Sequence, residues 1–203
     1  MGCIGWASRF GGEGELSSLS TLVDPKRRAV DIGAADGVYC WHLRRQASEC
    51  IAFEPNPVKA TKLRRRLPGC QVYDCALSSR TGMAQLRFPV EDFPITGLGT
   101  LEPANKLAGF SSIEQVDVET RRLDSFDIRD LGFIKIDVEG HELEVLQGGK
   151  ETLARETPVL LIEIEERHRP DALETVSDFL AGFGYGSPRQ ALSRQNYVFR
   201  SLA

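Results

Sequence analysis

Residues 28–39 read RAVDIGAADGVY and carry the clearest fold signal in the chain. Two apolar residues lead to Asp31, and Gly33 and Gly37 follow before a helix-compatible run that begins at Val38. This order predicts a buried strand, a tight glycine turn and the start of a helix. Such a turn lets the backbone approach a ligand closely, and the helix start offers free N–H groups. Because the acid precedes the first glycine, the stretch differs from the G-x-G-x-x-G fingerprint and suits a cationic or hydroxyl-bearing ligand better than a pyrophosphate.

A second strand is predicted to end at Glu54. The apolar residues 51–53 lead into this acid, which follows Asp31 by one strand–helix–strand unit. An acid at the end of the second strand can accept hydrogen bonds from the hydroxyls of a ribose. The missing phosphate-binding turn argues against NAD, whereas S-adenosylmethionine has a ribose, an amino-acid end and no phosphate. Both acids therefore fit S-adenosylmethionine as the ligand.

The composition argues against several classes of protein. The 203 residues carry 25 basic and 29 acidic side chains, a net charge of −4, which does not indicate a nucleic-acid or anionic membrane surface. No apolar run reaches membrane-spanning length and no signal peptide is recognisable, so a cytoplasmic location is expected. The number of cysteines is odd and none forms a C-x-x-C pair, which predicts free thiols in a reducing compartment. The cysteines are Cys3, Cys40, Cys50, Cys70 and Cys75.

The chain length favours one domain, which we place at residues 28–203. Residues 1–27 form an N-terminal extension that either lies over the site as a lid or packs as a plain surface helix. The alternating segments 84–88 and 116–120 predict two antiparallel or edge strands around a Gly- and Pro-rich loop at residues 89–112. Long loops in compact domains are often functional, so this loop is the candidate wall for an acceptor substrate. It includes Gly97, Gly99, Thr100 and Leu101.

A third strand is predicted at residues 71–73. Residues just past the C-terminal end of a parallel strand line the ligand crevice of such folds, so residues 74–78 are candidates for holding a flat base such as adenine. The alternative is an ordinary turn capped by Asp74 or Ser78.

The segment FIKIDVEGHE at residues 133–142 predicts a strand with polar side chains, then a turn and a helix. In a regular strand, Lys135, Asp137 and Glu139 would point to the same side. Central parallel strands are normally apolar on both faces. Three ionisable groups at this place therefore need partners or a task.

Several segments together resemble the FkbM family of S-adenosylmethionine-dependent methyltransferases. They are VDIGAADG, FEPNP, ALSSRTG and above all KIDVEGHELEVLQGG, within residues 29–163. The resemblance implies the α/β, Rossmann-like class I methyltransferase fold. Its seven-stranded sheet would have six parallel strands and one antiparallel strand in the order 3-2-1-4-5-7-6, with helices on both faces. Members with an assigned activity mostly methylate hydroxyls on sugars or polyketide-like compounds, so the resemblance implies an O-methyltransferase.

The resemblance also implies which residues form the cofactor site. They are Asp31, Gly33, Ala34 and Gly37 in the first loop, Glu54 at the ribose with Asn56 beside it, Cys75 and Ala76 at the adenine, and Asp137 at the methyl-transfer end. The chain departs from the family pattern at Ala35, where Asn is frequent, and at Asp36, where an apolar residue is frequent.

Methylation of a hydroxyl requires the acceptor to lose its proton during attack, so a general base within reach would help. His141 is the preferred candidate because imidazole titrates near neutral pH, and Asp137 and Glu139 are the alternatives. A structural alternative for His141 is capping of the helix that begins in this turn. We expect His168 to be a solvated loop residue, with an approach to the acceptor as the alternative.

A divalent metal is a second option at this edge of the sheet. Asp137, Glu139 and Glu163 could gather around Mg²⁺ from adjacent strand ends. We favour mutual neutralisation without a metal, with Lys135 in an ion pair across the sheet to Glu163 or Asp31.

Three functions follow from these patterns. The preferred one is methyl transfer from S-adenosylmethionine to a hydroxyl of a small-molecule acceptor. The second is a non-catalytic binding or scaffold subunit that keeps the cofactor fold, and the intact Asp31, Glu54 and Asp137 argue against it. The third is a nicotinamide-dependent oxidoreductase, which needs the phosphate-binding glycine turn that this chain lacks. The sequence pattern indicates no particular oligomeric state.

Overall fold

The computed structural model describes residues 13–90, 98–103, 107, 110, 112–190 and 195–202. Its strands are β1 (Arg28–Ile32), β2 (Cys50–Phe53), β3 (Cys70–Tyr73), β4 (Ala76–Leu77), β5 (Gly82–Val90), β6 (Ser112–Arg121), β7 (Leu131–Ile136), β8 (Val159–Glu163), β9 (Arg189–Gln190) and β10 (Asn196–Phe199). Its helices are α1 (Glu13–Leu22), α2 (Val38–Gln46), α3 (Pro57–Arg66), α4 (Glu142–Gln147), α5 (Lys150–Glu156) and α6 (Ala172–Ala181), and a short 3-10 helix spans Leu123–Phe126.

Seven of these strands form the central sheet, in the order β3-β2-β1-β7-β8-β10-β9. Strand β10 is antiparallel to both of its neighbours, β8 and β9, and the other adjacent pairs are parallel. Numbered along this sheet alone, the order is 3-2-1-4-5-7-6 with one antiparallel strand. The predicted Rossmann-like methyltransferase fold is confirmed.

The two predicted alternating segments belong to a second sheet, β4-β6-β5. Strands β5 and β6 pair antiparallel from Gly82 opposite Thr120 to Val90 opposite Ser112, and β4 adds to β6 in parallel. The prediction of two antiparallel strands is confirmed, although both strands extend beyond the alternating segments. Strand β4 was not predicted, because a strand of two residues carries no measurable periodicity.

Helices cover both faces of the central sheet. Along β1, Ala29 and Asp31 face α1, α2 and α3, whereas Val30 and Ile32 face α4, α5 and α6. A parallel sheet needs this double cover because its strands are apolar on both sides. The carboxyl ends of the strands stay uncovered by these helices, and the candidate site lies there.

The predicted N-terminal extension is described from Glu13 onwards. Helix α1 packs through the buried Leu19 onto the face that also carries α2. Residues 1–12, which complete the predicted lid segment, lie outside the described residues. None of the described helices is both long and apolar enough to cross a membrane.

Candidate functional site

An open cleft lies at the carboxyl ends of the central strands, with about 640 Å³ of empty space when the adjoining solvent is included. Its walls come from the loop after β1, the loop after β2, the segment around β4 and the turn after β7. The second sheet closes one side with Leu86 of β5, together with Gly99 and Leu101. Open α/β sheets bind ligands at this edge, where the strand order reverses. The cleft is therefore the candidate site.

The loop after β1 and the turn after β7 approach each other so closely that no side chain fits between them. Gly33 has φ +81°, and an added Cβ would lie 1.8 Å from the backbone oxygen of Asp137. The Asp137 N–H donates to the oxygen of Ile32 at 3.0 Å, and the Gly33 and Ala34 N–H groups both donate to the oxygen of Phe53. Glycine is required at position 33 both by its conformation and by this approach.

Glu54 joins two loops at the cleft wall. Its carboxylate accepts the N–H of Ala35 at 2.7 Å and the N–H of Asn56 at 2.8 Å. Burial raises the pKa of the Glu54 carboxyl, whereas these N–H groups and the nearby Lys59 ammonium lower it. Each carboxylate oxygen accepts one N–H and keeps a second lone pair. The acid predicted to bind a ribose thus lies in the cleft and can still accept two hydroxyl donors.

Other residues predicted for the cofactor site support the loops and do not line the cleft themselves. Asn56 caps α3, since its side-chain oxygen accepts the N–H groups of Val58 and Lys59 at 3.0 and 3.2 Å. Gly37 adopts φ +85° immediately before α2. Ala34 lies in the first loop, but in this loop it is the next residue, Ala35, that lines the cleft. For Ala34, Gly37 and Asn56, direct contact with a cofactor stays a prediction.

Asp31 also points away from the cleft. Its side chain is 2% exposed and accepts a hydrogen bond from the Cys40 thiol at 2.9 Å, on the face that carries α2. Burial raises the pKa of the Asp31 carboxyl to about 7, although the Cys40 thiol and Lys135 oppose this rise. Asp31 therefore holds the strand that leads into the Gly33 loop, and its own contact with a cofactor stays a prediction.

The far wall of the cleft is mostly apolar. Cys75, Ala76 and Leu77 line it, and burial raises the pKa of the Cys75 thiol to about 11, so this side chain is neutral near pH 7. A neutral apolar surface suits the flat base that was predicted to lie at Cys75 and Ala76.

The predicted acceptor loop contributes to the cleft only in part. Gly99 and Leu101 line it, whereas Thr100 is buried and donates its hydroxyl to the backbone oxygen of Glu139 at 2.8 Å. Gly97 lies outside the described residues. The loop is thereby tied to the turn after β7.

The strand β7 ends at Ile136, so its period of two does not continue into the turn. Lys135 points to the opposite side from the cleft, where its ammonium donates to Asn196 at 2.8 Å and lies 3.5 Å from the Glu163 carboxylate. The predicted ion pair between Lys135 and Glu163 is confirmed. The predicted common side for Lys135, Asp137 and Glu139 is wrong, because Asp137 and Glu139 line the cleft.

Glu139 lies in a turn that is rich in carboxylates. Its backbone has φ +52°, and burial, followed by the charge of Asp137, raises the pKa of its carboxyl to about 8. The carboxylate lies 2.8 Å from Nε2 of His168 and 3.4 Å from the Arg167 guanidinium. A carboxyl with this pKa is mostly protonated at pH 7, so only a minor fraction of Glu139 is in the form that can accept a proton.

Among the described residues, the three acids predicted to surround Mg²⁺ do not form a group whose ligand atoms lie within 4.8 Å of one another. Glu163 pairs with Lys135, and within the described residues Glu139 instead gathers with Glu165 and His168, whose ligand atoms lie within 4.8 Å of one another. The expectation of a solvated His168 is wrong, because these two carboxylates flank a side chain that is 5% exposed.

His141 lines the cleft, and both of its ring nitrogens have partners. Nδ1 lies 2.5 Å from the Glu102 carboxylate, and Nε2 lies 3.0 Å from the Ser78 hydroxyl. The imidazole lowers the pKa of Glu102, and a carboxylate only accepts hydrogen bonds. We therefore assign the proton to Nδ1, which leaves Nε2 to accept the Ser78 O–H. His141 occupies the N-cap position of α4, as the capping alternative predicted, but its side chain makes no capping hydrogen bond.

Comparison with known proteins gives one family and several relatives. The family model described as "Methyltransferase FkbM domain" matches residues 31–197. The chain is 28% identical over 154 residues to the 2-O-methyltransferase NoeI of Sinorhizobium fredii, an alignment that covers 68% of this chain and 63% of that protein. It is 31% identical over 156 residues to the methyltransferase sdnD of Sordaria araneosa, which covers 59% of each chain. The chain thus spans about three fifths of the length of these curated relatives.

Among solved structures, the crystal structure of methyltransferase FkbM from Methylobacillus flagellatus KT is similar, with a TM-score of 0.59 and 20% identity. The match covers 89% of this chain and 46% of that chain. At this identity the similarity supports the fold alone.

Proposed function

Because the chain belongs to the FkbM methyltransferase family, we propose that it is an S-adenosylmethionine-dependent O-methyltransferase. Its proposed acceptor is a hydroxyl of a sugar, a glycan or a polyketide-like small molecule. The observation that carries the proposal is the cleft in which the Gly33 loop and the Glu54 carboxylate lie together. A buried carboxylate with open lone pairs suits ribose hydroxyls and would repel a phosphate. The relative NoeI is named a 2-O-methyltransferase, which supports a hydroxyl as the acceptor.

S-adenosylmethionine supplies a methyl group that its sulfonium centre already activates, so positioning provides much of the proposed catalysis. Glu54 would accept the ribose hydroxyls, and the surface of Cys75 and Ala76 would receive the adenine. Asp137 would lie at the methyl-transfer end. Nε2 of His141 takes the proton of the acceptor hydroxyl, and Glu102 keeps the imidazole in the orientation and tautomer that this step needs.

The proposed function is tested first by calorimetric titration with S-adenosylhomocysteine, with NADH as the control ligand. We expect micromolar binding of S-adenosylhomocysteine and no binding of NADH. A screen of hydroxylated sugars and polyketides with labelled S-adenosylmethionine then identifies the acceptor. Binding of NADH alone would contradict the proposal and favour an oxidoreductase.

We expect Glu54→Gln to weaken S-adenosylhomocysteine binding about tenfold to a hundredfold, because hydrogen bonds to a charged acceptor contribute about 1.5–3 kcal/mol. For an analogue without the ribose 2′-hydroxyl, the difference in affinity between the unchanged chain and Glu54→Gln should be smaller. Neither protein can then form the hydrogen bond to the missing hydroxyl. Calorimetry measures both affinities. Glu49→Gln is the matched control, because Glu49 pairs with Arg28 and does not line the cleft. Unchanged affinity in Glu54→Gln would remove the ribose role.

We expect His141→Ala to lower turnover about 10²- to 10⁴-fold while the affinity for S-adenosylhomocysteine stays nearly unchanged, because a general base acts on the acceptor and not on the cofactor. Added imidazole should restore part of the activity. Glu102→Gln should give a smaller loss, since the base is still present but less firmly oriented. His42→Ala changes a histidine outside the cleft and is the control. Full activity of His141→Ala would exclude this histidine as the base.

The Ser78→Ala variant distinguishes two ways in which the acceptor hydroxyl could reach Nε2 of His141. If the acceptor hydroxyl replaces Ser78 at this nitrogen, Ser78→Ala should keep turnover and lower the KM for the acceptor. If the Ser78 hydroxyl relays the proton, the same variant should lose turnover as His141→Ala does. We expect the first result, because direct contact places the base within about 3 Å of the proton that it removes. Steady-state kinetics with the identified acceptor measures the difference.

A further inference from the structure

Three thiols from three elements meet at the amino ends of the central strands, opposite to the cleft. Cys40 lies in α2, and Cys50 and Cys70 are the first residues of β2 and β3. Their sulfur atoms all lie within 4.8 Å of one another, and those of Cys50 and Cys70 are 3.3 Å apart. Cys50 and Cys70 face each other in the parallel register of β2 and β3. None of the three lines the cleft.

The spacing of the sulfurs suits a shared metal ion. Thiolates are soft ligands that select ions such as Cu(I) and Zn²⁺. An ion bonded to three coplanar sulfurs at about 2.3 Å holds these sulfurs about 4 Å apart. The distance between the sulfurs of Cys50 and Cys70, 3.3 Å, is shorter than this value, and no two of the three sulfurs are more than 4.8 Å apart. Small side-chain rotations would therefore bring all three sulfurs to bonding distance of one ion.

The surroundings also suit such a site. Cys40 and Cys50 are buried, and Cys70 is half-buried on the edge strand β3, which leaves a path from solvent. The thiol of Cys40 donates to the Asp31 carboxylate at 2.9 Å, and this bond orients its sulfur. Arg44 beside Cys70 and Lys135 beside Asp31 supply positive charge that offsets the charge of thiolates.

We propose that Cys40, Cys50 and Cys70 form a binding site for one soft metal ion, and that Cu(I) is the ion that fits it best. Three thiolates satisfy Cu(I), whereas structural Zn²⁺ takes four ligands. The Asp31 carboxylate does not belong to the group of ligand atoms that lie within 4.8 Å of one another. Binding forms three metal–sulfur bonds and releases the thiol protons to solvent, with no change in oxidation state.

The test is an anaerobic titration of the reduced chain with Cu(I) and, separately, with Zn²⁺. Cys3→Ser serves as the parent chain, so that the remaining thiol outside the described residues cannot contribute. We expect about one Cu(I) per chain and a sulfur-to-metal charge-transfer band in the ultraviolet. We also expect the metal to slow the alkylation by iodoacetamide of Cys70, the half-buried thiol of the three. This readout needs no cluster variant and therefore does not depend on how such a variant folds.

Cys70→Ser should weaken Cu(I) binding at least about tenfold, and the matched control Cys75→Ser should leave it unchanged. Tighter binding of Zn²⁺ than of Cu(I) on the same protected thiols would support the three-thiol site and overturn the choice of ion. Three results would overturn the site itself. They are the uptake of neither metal, uptake that survives in both Cys50→Ser and Cys70→Ser, and formation of a Cys50–Cys70 disulfide without metal uptake after reduction.

Discussion

We expect the Gly33→Ala variant to lose at least about 4 kcal/mol of folding free energy and to show no measurable binding of S-adenosylhomocysteine. The new Cβ would lie 1.8 Å from the backbone oxygen of Asp137, and only a shift of one backbone against the other relieves this overlap. Such a shift breaks the hydrogen bond from the Asp137 N–H to the Ile32 oxygen, which joins the two loops of the cleft. The positive φ adds about 1–2 kcal/mol for any residue that carries a Cβ.

Gly184→Ala is the matched control because it separates these two costs. Gly184 has φ +79°, close to the φ of Gly33, but nothing lies within 4 Å of an added Cβ. It should therefore lose only the conformational part, about 1–2 kcal/mol, and keep its affinity for S-adenosylhomocysteine. Urea unfolding and calorimetry measure the two quantities. Equal losses of stability in both variants would show that the close approach of the loops is not the reason for the glycine.

The elements around the cleft could be predicted because each has a short-range signal. The apolar run before Asp31 and the glycine turn located β1 and the start of α2, and the next apolar run located β2 before Glu54. The order of the strands has no such signal, since periodicity identifies elements but not their neighbours. That part of the prediction came from the resemblance to a family.

The direction of side chains was the weaker part of the prediction. Asp31 ends an apolar run at the expected place, but alternation along β1 turns its carboxylate towards α2 and away from the cleft. Glu139 was predicted from the same period of two, which holds only while the strand lasts. Because β7 ends at Ile136 and Glu139 has φ +52°, the pattern could not be extended through the turn.

Contacts between distant segments were beyond local reasoning. His141 meets Glu102 from 39 positions away and Ser78 from 63 positions away, and both partners lie in irregular segments. The odd number of cysteines predicted free thiols, which the described residues confirm for Cys40, Cys50, Cys70 and Cys75. It gave no sign that three of them meet, because they come from different elements.

We expect Lys135→Met to cost about 3–5 kcal/mol of folding free energy at about pH 9, because it leaves the ionised Asp31 carboxylate and its neighbours without their cation. The cost should be smaller near pH 7, where Asp31 can take up a proton instead. Lys135 is 0% exposed, and its ammonium donates to Asn196 at 2.8 Å and lies 3.5 Å from Glu163. It also stabilises the charge of Asp31. Methionine has nearly the same volume and flexibility, so the substitution removes the charge with little change in packing.

A second substitution identifies which carboxylate depends on the lysine. Asp31 is 2% exposed, whereas the Glu163 side chain is 28% exposed and can be stabilised by water once the lysine is gone. Asp31→Asn in the Lys135→Met background should therefore restore most of the lost free energy, since replacing both buried charges is close to neutral. Glu163→Gln should restore little. Urea unfolding of the single and double variants measures the coupling.

Rescue by Glu163→Gln alone would show that the ion pair between Lys135 and Glu163 accounts for the lost free energy. No rescue by either substitution would assign the loss to the hydrogen bond with Asn196. The expected rescue by Asp31→Asn has a consequence for the cleft. Asp31 lies two residues before Gly33, so a lysine that neutralises Asp31 fixes the end of the strand from which the Gly33 loop begins. The charge of Lys135 would then hold the predicted cofactor loop in place from the neighbouring strand, without contact with the cofactor.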